Sequence, residues 1–304
     1  MLLDTAALYF RAFYGVPDTV HAPNGMPINA VRGLLDIIAR LASDFQPTEI
    51  VACWDDDWRP QWRVDLIPTY KTHRVAVAAS ADTVLSIEEV PDLLTPQVAV
   101  IREVLGALGV PVIGASHHEA DDVIGTLASH SSIPVDIVTG DRDLFQLIDD
   151  SREVKVIYTG RGMARLETLT DAALEAKYGV TPAQYADYAA MRGDASDGLP
   201  GVAGVGEKTA VALLSSYGTL DGIIAAAADA GSGMAAPVRA KILAAADYLE
   251  VAPAVVKVVR DLTLAEFDAR IRQPNRERTA ELDRLSSEWG LGSSMTRARD
   301  ALRT

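Results

Sequence analysis

Two rhythms of apolar residues alternate along the first half of this chain, and together they predict a wound α/β core. Short apolar runs of strand length fall at Met1 to Leu3, Ile50 to Trp54, Gly109 to Ile113 and Ile133 to Thr139. Between them the spacing turns helical: Ala6 to Gly15, Asn29 to Phe45 (with Val31, Leu34, Leu35, Ile38 and Leu41 on one face), Pro96 to Leu108, and a stretch carrying Val123, Ile124, Leu127 and Ala128. The resulting order, β-α-β-(loop)-α-β-α-β-α up to residue 148, implies a mostly parallel central sheet flanked by helices on both faces. Val154 to Tyr158, Gly160 to Gly162 and Ala164 to Leu166 read as a hairpin at its edge.

From Thr170 the pattern is helical throughout. Helices are predicted over Asp171 to Tyr178, Pro182 to Met191, Glu207 to Tyr217 and Arg239 to Tyr248, with Ala225 to Ala236 as a loose turn and a charged helical tail over 274–304. The expected division is an α/β core over 1–169, with an irregular stretch at 58–96, and a helical region over 170–304 built around a glycine-rich turn at 193–217.

The strands end on acids. Asp4, the Asp55-Asp56-Asp57 triplet and Gly140-Asp141-Arg142-Asp143 each close an apolar run, and Glu119-Ala120-Asp121-Asp122 heads a helix. Ligands of open α/β sheets bind beyond the carboxyl ends of the strands. Carboxylates gathered there repel one another unless a cation sits among them, and an oxygen-rich set suits Mg²⁺ or Mn²⁺.

Residues 58–96 are of another character. Trp58, Trp62 and Tyr70 are interleaved with Arg59, Arg63, Lys71, His73 and Arg74, a mixture suited to stacking on bases and tracking phosphates, and Thr83 to Leu94 continues it as an acidic stretch. The alternative is a solvated loop with its tryptophans tucked beneath it. Gly201-Val-Ala-Gly-Val-Gly-Glu-Lys-Thr209 resembles a phosphate-binding P-loop only superficially, because Glu207 separates Gly206 from Lys208 and no strand precedes it. It reads better as a helix–hairpin–helix turn whose glycines and following helix N-terminus meet a DNA phosphate without reading sequence. Its carbonyls are open to a monovalent cation such as K⁺. Asp194 and Asp197 just upstream suit turn capping or, beside the other acids, a metal.

Composition changes this picture little. With 49% hydrophobic and 23% charged residues the 304-residue chain is of ordinary globular type, and no apolar run approaches the roughly 18–20 residues of a membrane span. A single cysteine, Cys53, excludes an internal disulfide, fits a buried small hydrophobe and suits a cytoplasmic setting. The net charge of −14 argues against a nucleic-acid partner when taken alone. Acids that belong to a metal cluster, however, do not act as outer surface.

Assembled, Glu119-Ala-Asp-Asp-Val123, Thr139-Gly-Asp-Arg-Asp-Leu144, Gly193-Asp-Ala-Ser-Asp-Gly-Leu-Pro-Gly-Val202 and the Gly-Val-Gly-Glu-Lys-Thr-Ala210 turn resemble the 5′ nucleases. These include the N-terminal domain of bacterial DNA polymerase I and the flap endonucleases; the likeness runs from Leu2 to about Leu291. It implies a PIN-like nuclease core with a helical arch and a C-terminal helix–hairpin–helix region. By resemblance, Asp4, Glu119, Asp121, Asp122, Asp141, Asp143, Asp194 and Asp197 match metal-binding acids, with either Asp55 or Asp56 as a further one. Arg11, Lys71 and Arg74 match positions that contact or steer the scissile strand. Tyr70, Arg63, Gly204, Gly206, Lys208 and Thr209 fall at DNA-contacting positions. Thr5 departs from the family's usual glycine, and the first strand looks clipped.

The resemblance implies a stand-alone, monomeric, structure-specific 5′-3′ exonuclease and flap endonuclease of replication and repair, working in the cytoplasm at the nucleoid. Two or more Mg²⁺ or Mn²⁺ ions would serve it, on DNA with a 5′ flap, nick, gap or 5′ end and on RNA–DNA hybrids. The competing readings are an inactive junction-binding protein of the same fold and, from the Asp141/Asp143 pair, an aspartyl-phosphate phosphatase. The phosphatase leaves the hairpin and the basic aromatic stretch without a purpose.

Overall fold

The structure, a computed structural model, describes residues 1–75 and 90–303. Six strands form one sheet: β1 (Leu2–Asp4), β2 (Val51–Cys53), β3 (Val112–Ile113), β4 (Val135–Thr139), β5 (Val154–Tyr158) and β6 (Glu167–Leu169), in the order β3-β2-β1-β4-β5-β6. All neighbours are parallel except β5 and β6. The hairpin forms as expected, but its second strand starts three residues later than the predicted Ala164, because Met163–Arg165 coils into a 3-10 turn.

Alternate residues of each strand feed opposite faces. Leu3, Ala52, Val138 and Ile157 pack into one core, whereas Leu2, Val51, Cys53, Ile137 and Val156 pack into the other. The first face is covered by α1 (Thr5–Gly15), α2 (Asn29–Phe45) and α4 (Thr95–Leu108); between α2 and α4 in the chain, α3 (Gln61–Leu66) lies near the strand ends. The second face is covered by α5 (Ala120–His130) and by the helices α6 (Asp171–Tyr178), α7 (Pro182–Arg192) and α8 (Glu207–Tyr217).

Beyond these, α9 (Leu220–Ala228), α10 (Ala236–Ala244) and α11 (Ala246–Val256) complete the helical region, and α12 (Arg276–Glu288) and α13 (Gly292–Ala301) end the chain. Three expectations change. Residues 225–228 continue α9 rather than forming a loose turn, since Ile223 and Ala227 bury on the helical period. The single helix expected over 239–248 is two, broken at Ala245. The tail does not stay with the helical region: Leu282, Leu285, Leu291, Met295 and Ala298 pack into the first core against α2 and α4.

Residues 58–75 are ordered, contrary to the irregular stretch expected. Arg59 donates to the carbonyls of Tyr70 (2.6 Å) and Pro68 (3.3 Å), tying the segment into a closed loop around α3. Most of the acidic continuation, 83–89, and the upper part of the expected arch, 76–89, lie outside the described residues. Cys53 is buried, as its apolar run predicted.

Candidate active site

The strand order reverses between β1 and β4, and the acids gather at that switch point. Asp4 closes β1; its Oδ1 accepts from the Ala7 amide (3.2 Å) and its Oδ2 from the Thr139 hydroxyl at the end of β4 (2.7 Å). Asp55 follows β2 and accepts from the Ala120 amide (2.8 Å), which draws the start of α5 to the same edge. Asp141 follows β4, positioned by its amide on the Thr139 hydroxyl (2.8 Å). Asp4, Asp55, Glu119, Asp121 and Asp141 line one cavity of about 360 Å³ together with Arg11, Lys71, Arg74, Trp58 and Ser196. A larger cleft of about 520 Å³ lies at the opposite strand ends, beside Met1, Val51 and Val135, and contains none of these acids.

Burial and repulsion from neighbouring acids raise Asp4, Asp55 and Asp121. Burial, reinforced by Asp55 and Asp141, pushes Asp4 up to about 7. Asp121 is driven well up by burial and then by Asp141 and Asp4. Asp55 is raised chiefly by burial. Burial likewise raises Asp143, with Asp141 and Asp197 adding to it, and lifts Asp197 to about 6 against the pull of Lys71. A cation placed among them would relieve the burial and the repulsion.

Elsewhere the charge is balanced internally. Arg63 on α3, 2% exposed, reaches Asp122 with both terminal nitrogens (2.9 and 2.8 Å), touches Glu119, and donates through Nε to the Val255 carbonyl (3.1 Å). Asp122 is fully buried and also accepts from the Val259 amide (2.8 Å). Both expectations for this pair are therefore corrected. Asp122 faces away from the cavity and holds α5 to α3 and to the segment after α11; Arg63 is sealed from any DNA. Tyr70 is corrected as well: 3% exposed, it donates its hydroxyl to Glu119 (2.7 Å) and presents no face to a base. Lys71 completes the set, pairing with the other oxygen of Glu119. Burial acts to lower Lys71, and the Glu119 carboxylate outweighs it, holding the ammonium well above its usual range.

Asp55 lines the cavity, whereas its neighbour Asp56 does not. Asp56 turns to Gly114 and pairs with Arg102 at 3.6 Å, outside the cavity. Asp143 is buried beside the cavity and donates its amide to Asp141 (2.9 Å). From the helical region, Asp194 caps its own turn through the Ser196 amide (2.8 Å) and pairs with Arg192 (3.2 Å). Asp197 meets Arg74 (3.1 Å), and its carbonyl accepts from the Lys71 amide (2.9 Å). A side chain at Gly198 would collide with the Thr69 carbonyl oxygen, so glycine permits this close seam between the helical region and the base of the arch segment. Arg11 lines the cavity with its Nε buried and unpaired.

The composition of the 58–75 segment pointed to these cations, and the resemblance set Lys71 and Arg74, which face the cavity, apart from Arg63, but nothing in the sequence showed that Arg63 is buried. Sequence reasoning also missed Thr139, whose hydroxyl links Asp4 to Asp141; its place directly before Gly140 at a strand end was the available signal.

At the glycine-rich turn, Val202 and Val205 are buried anchors while Gly204, Gly206 and Lys208 are exposed and Thr209 is the third residue of α8. Gly206 precedes α8 without any side-chain cap. The Gly204 carbonyl, expected to be open to a monovalent cation, accepts instead from Lys241 of α10 at 2.9 Å.

The donor set fits a hard divalent ion: all oxygen, with Asp4, Asp55 and Asp121 raised. Among the described residues no three of these acids converge to ligate one ion as they stand. They line a cavity instead, a spacing that suits an ion that keeps several waters and uses one or two carboxylates plus a substrate phosphate.

Comparison with known proteins agrees with this geometry. Residues 1–179 match the model for the 5′-3′ exonuclease N-terminal resolvase-like domain, and 180–277 match that for the 5′-3′ exonuclease C-terminal SAM fold. The chain belongs to the 5′-3′ exonuclease family. A 5′-3′ exonuclease of Streptomyces coelicolor is 54% identical over 98% of both chains. A DNA polymerase I of Mycobacterium bovis is 41% identical over 74% of this chain and 24% of that protein. Among solved structures, the T5 D15 protein co-crystallised with metal ions shares the fold with a TM-score of 0.64 at 16% identity, covering 100% of this chain and 99% of that one. Membership of this family makes the chain a nuclease with a PIN-like core and a SAM-type helical region, as the motifs implied. No single helix among the described residues is long and apolar enough to cross a membrane.

Proposed function

We propose that this nuclease is a Mg²⁺- or Mn²⁺-dependent 5′-3′ exonuclease and flap endonuclease that cuts DNA at a 5′ end, nick, gap or flap junction. The observation that carries the proposal is one cavity lined by Asp4, Asp55, Asp121 and Asp141 with Lys71, Arg74 and Arg11 on its walls. Asp4, Asp55, Asp121 and Asp141 would hold the ions, with Glu119, Asp143 and Asp197 at the margin. When bound, the ions supply an activated water and neutralise charge on the scissile phosphate. Lys71 and Arg74 would stabilise charge developing on that phosphate, Lys71 exchanging Glu119 for it. Arg11, which lines the same cavity with its Nε unpaired, would orient the phosphate.

The helical region from α6 to α11 would hold the duplex through the Gly204–Gly206 turn, Lys208 and Thr209, and the Asp197–Lys71 seam would tell the core when the duplex is seated. Chewing of RNA-primed ends, action as a monomer and work at the nucleoid belong to the same reading. The deciding experiment is a 5′-labelled duplex with a single-stranded 5′ flap, incubated with Mg²⁺, Mn²⁺ or chelator. Metal-dependent cutting near the junction, lost in Asp141→Ala, supports the proposal. Tight flap binding with no cutting in either metal would make the chain a junction-binding protein.

A further inference from the structure

The turn that is read as gripping duplex already has a cation seated in it. Lys241 stands on α10 next to Ile242, which is 2% exposed and locked into the second core, so the phase of the helix is held and the lysine is directed at the turn. Its Nζ donates to the Gly204 carbonyl at 2.9 Å, across 37 residues of chain. Gly204 has φ +74°, and a Cβ there would fall 2.8 Å from Nζ and 3.1 Å from Cε of the lysine. Glycine is needed there for the backbone conformation, and its lack of a side chain leaves the lysine tail its path to the carbonyl. The nearby acid, Glu207, pairs at 3.7 Å with Arg192, and no ion pair to Lys241 is found among the described residues.

We propose that the Lys241 ammonium, seated on the Gly204 carbonyl, is a built-in counter-ion through which the turn binds a duplex phosphate, in the place a free alkali cation would otherwise take. An ammonium has three donors; one is spent on Gly204, leaving the others for phosphate oxygens. The amides at the start of α8, which follows Gly206, have no side-chain cap and carry the positive end of the helix. An alkali ion at this carbonyl would have to displace a tethered charge, so the turn gains nothing from K⁺. The proposal deepens the reading of this turn as a duplex-binding element and names the residue that carries its charge.

The test measures affinity for a flap duplex in chelator, where no cutting occurs, in KCl, NaCl and tetramethylammonium chloride at one ionic strength. Wild type is expected to bind equally, within about twofold, in all three. Lys241→Met, checked for an unchanged melting temperature, is expected to bind about tenfold more weakly in tetramethylammonium and to recover partly in K⁺, as the free ion enters the vacated position. Lys241→Arg keeps most of the wild-type affinity. A wild type that needs K⁺ overturns the proposal, as does a Lys241→Met protein that binds like wild type in every salt or is weakened equally in all of them. Absence of wild-type binding in any salt would instead sink the duplex-binding reading itself.

Discussion

Asp121 and Asp122 are neighbours on the first turn of α5, yet they have opposite surroundings. Asp121 faces a cavity that it shares with Asp4, Asp55, Glu119 and Asp141, and its carboxyl is driven well up. Asp122 is turned inward onto Arg63, its charge met in full by a bidentate partner and two backbone amides. One helical step of about 100° separates them, and it divides the acids into a set left short of positive charge and a set neutralised from within. The first can take up cations. The second holds the site's shape, because Arg63 ties α3, α5 and the end of α11 together at one guanidinium.

The sharpest break of this comparison is on the cavity side. Asp121→Asn and Asp141→Ala are each expected to lower metal-dependent cleavage by about a thousandfold or more, on the scale of losing a charge-stabilising group or more, while the unfolding midpoint in urea holds or rises. On the other side the effects should reverse. Arg63→Met leaves Asp122 buried without its partner and is expected to cost about 3–5 kcal/mol of stability, read from urea unfolding. Adding Asp122→Leu should restore much of that loss; a double variant no more stable than Arg63→Met would mean that the pair does not carry the cost.

Lys71 stands between the two sets, and Lys71→Met is expected to reduce turnover roughly 10- to 100-fold with little change in flap affinity. A rise in KM alone would place it in binding rather than catalysis.

Solution pH sharpens the same contrast. Asp4 is raised from 3.8 to about 7 and Asp197 to about 6. The ion-free folded chain therefore binds more protons than the unfolded chain in that window, and stability present below pH 4 is lost as pH rises through about 6 to 7. Divalent ions relieve the same repulsion, so Mg²⁺ should raise the melting temperature more at pH 8 than at pH 5. An equal rise at both would show that the ion is not answering these acids. The smallest effect belongs to Asp56→Asn: its exposed pairing with Arg102 at 3.6 Å contributes at most about 1 kcal/mol, and cleavage should change less than about twofold.

Much of this was legible in the residues themselves. Strand period, helical period and acids at strand ends are local properties, so the wound sheet, the N-terminus of α5, the α8 turn and the identity of the family follow from short stretches read one at a time. The carboxylates at the switch point belong to the same class, since the chain order of β and α elements brings strand ends to one edge.

What the sequence could not decide was direction and partnership. Asp55 and Asp56, Asp121 and Asp122, and Arg63 and Lys71 are alike in type and close in sequence. Which of each faces the cavity depends on where α3 docks against α5 and α11, a contact between residues up to 192 apart in the chain. The return of α12 and α13 to the first core, and the seating of Lys241 on Gly204, are likewise long-range events. Periodicity records that a residue has an apolar or polar side; only the packed chain supplies the neighbour on that side, and here the neighbour decides whether an acid faces the cavity or is neutralised in the interior, and which carbonyl a lysine meets.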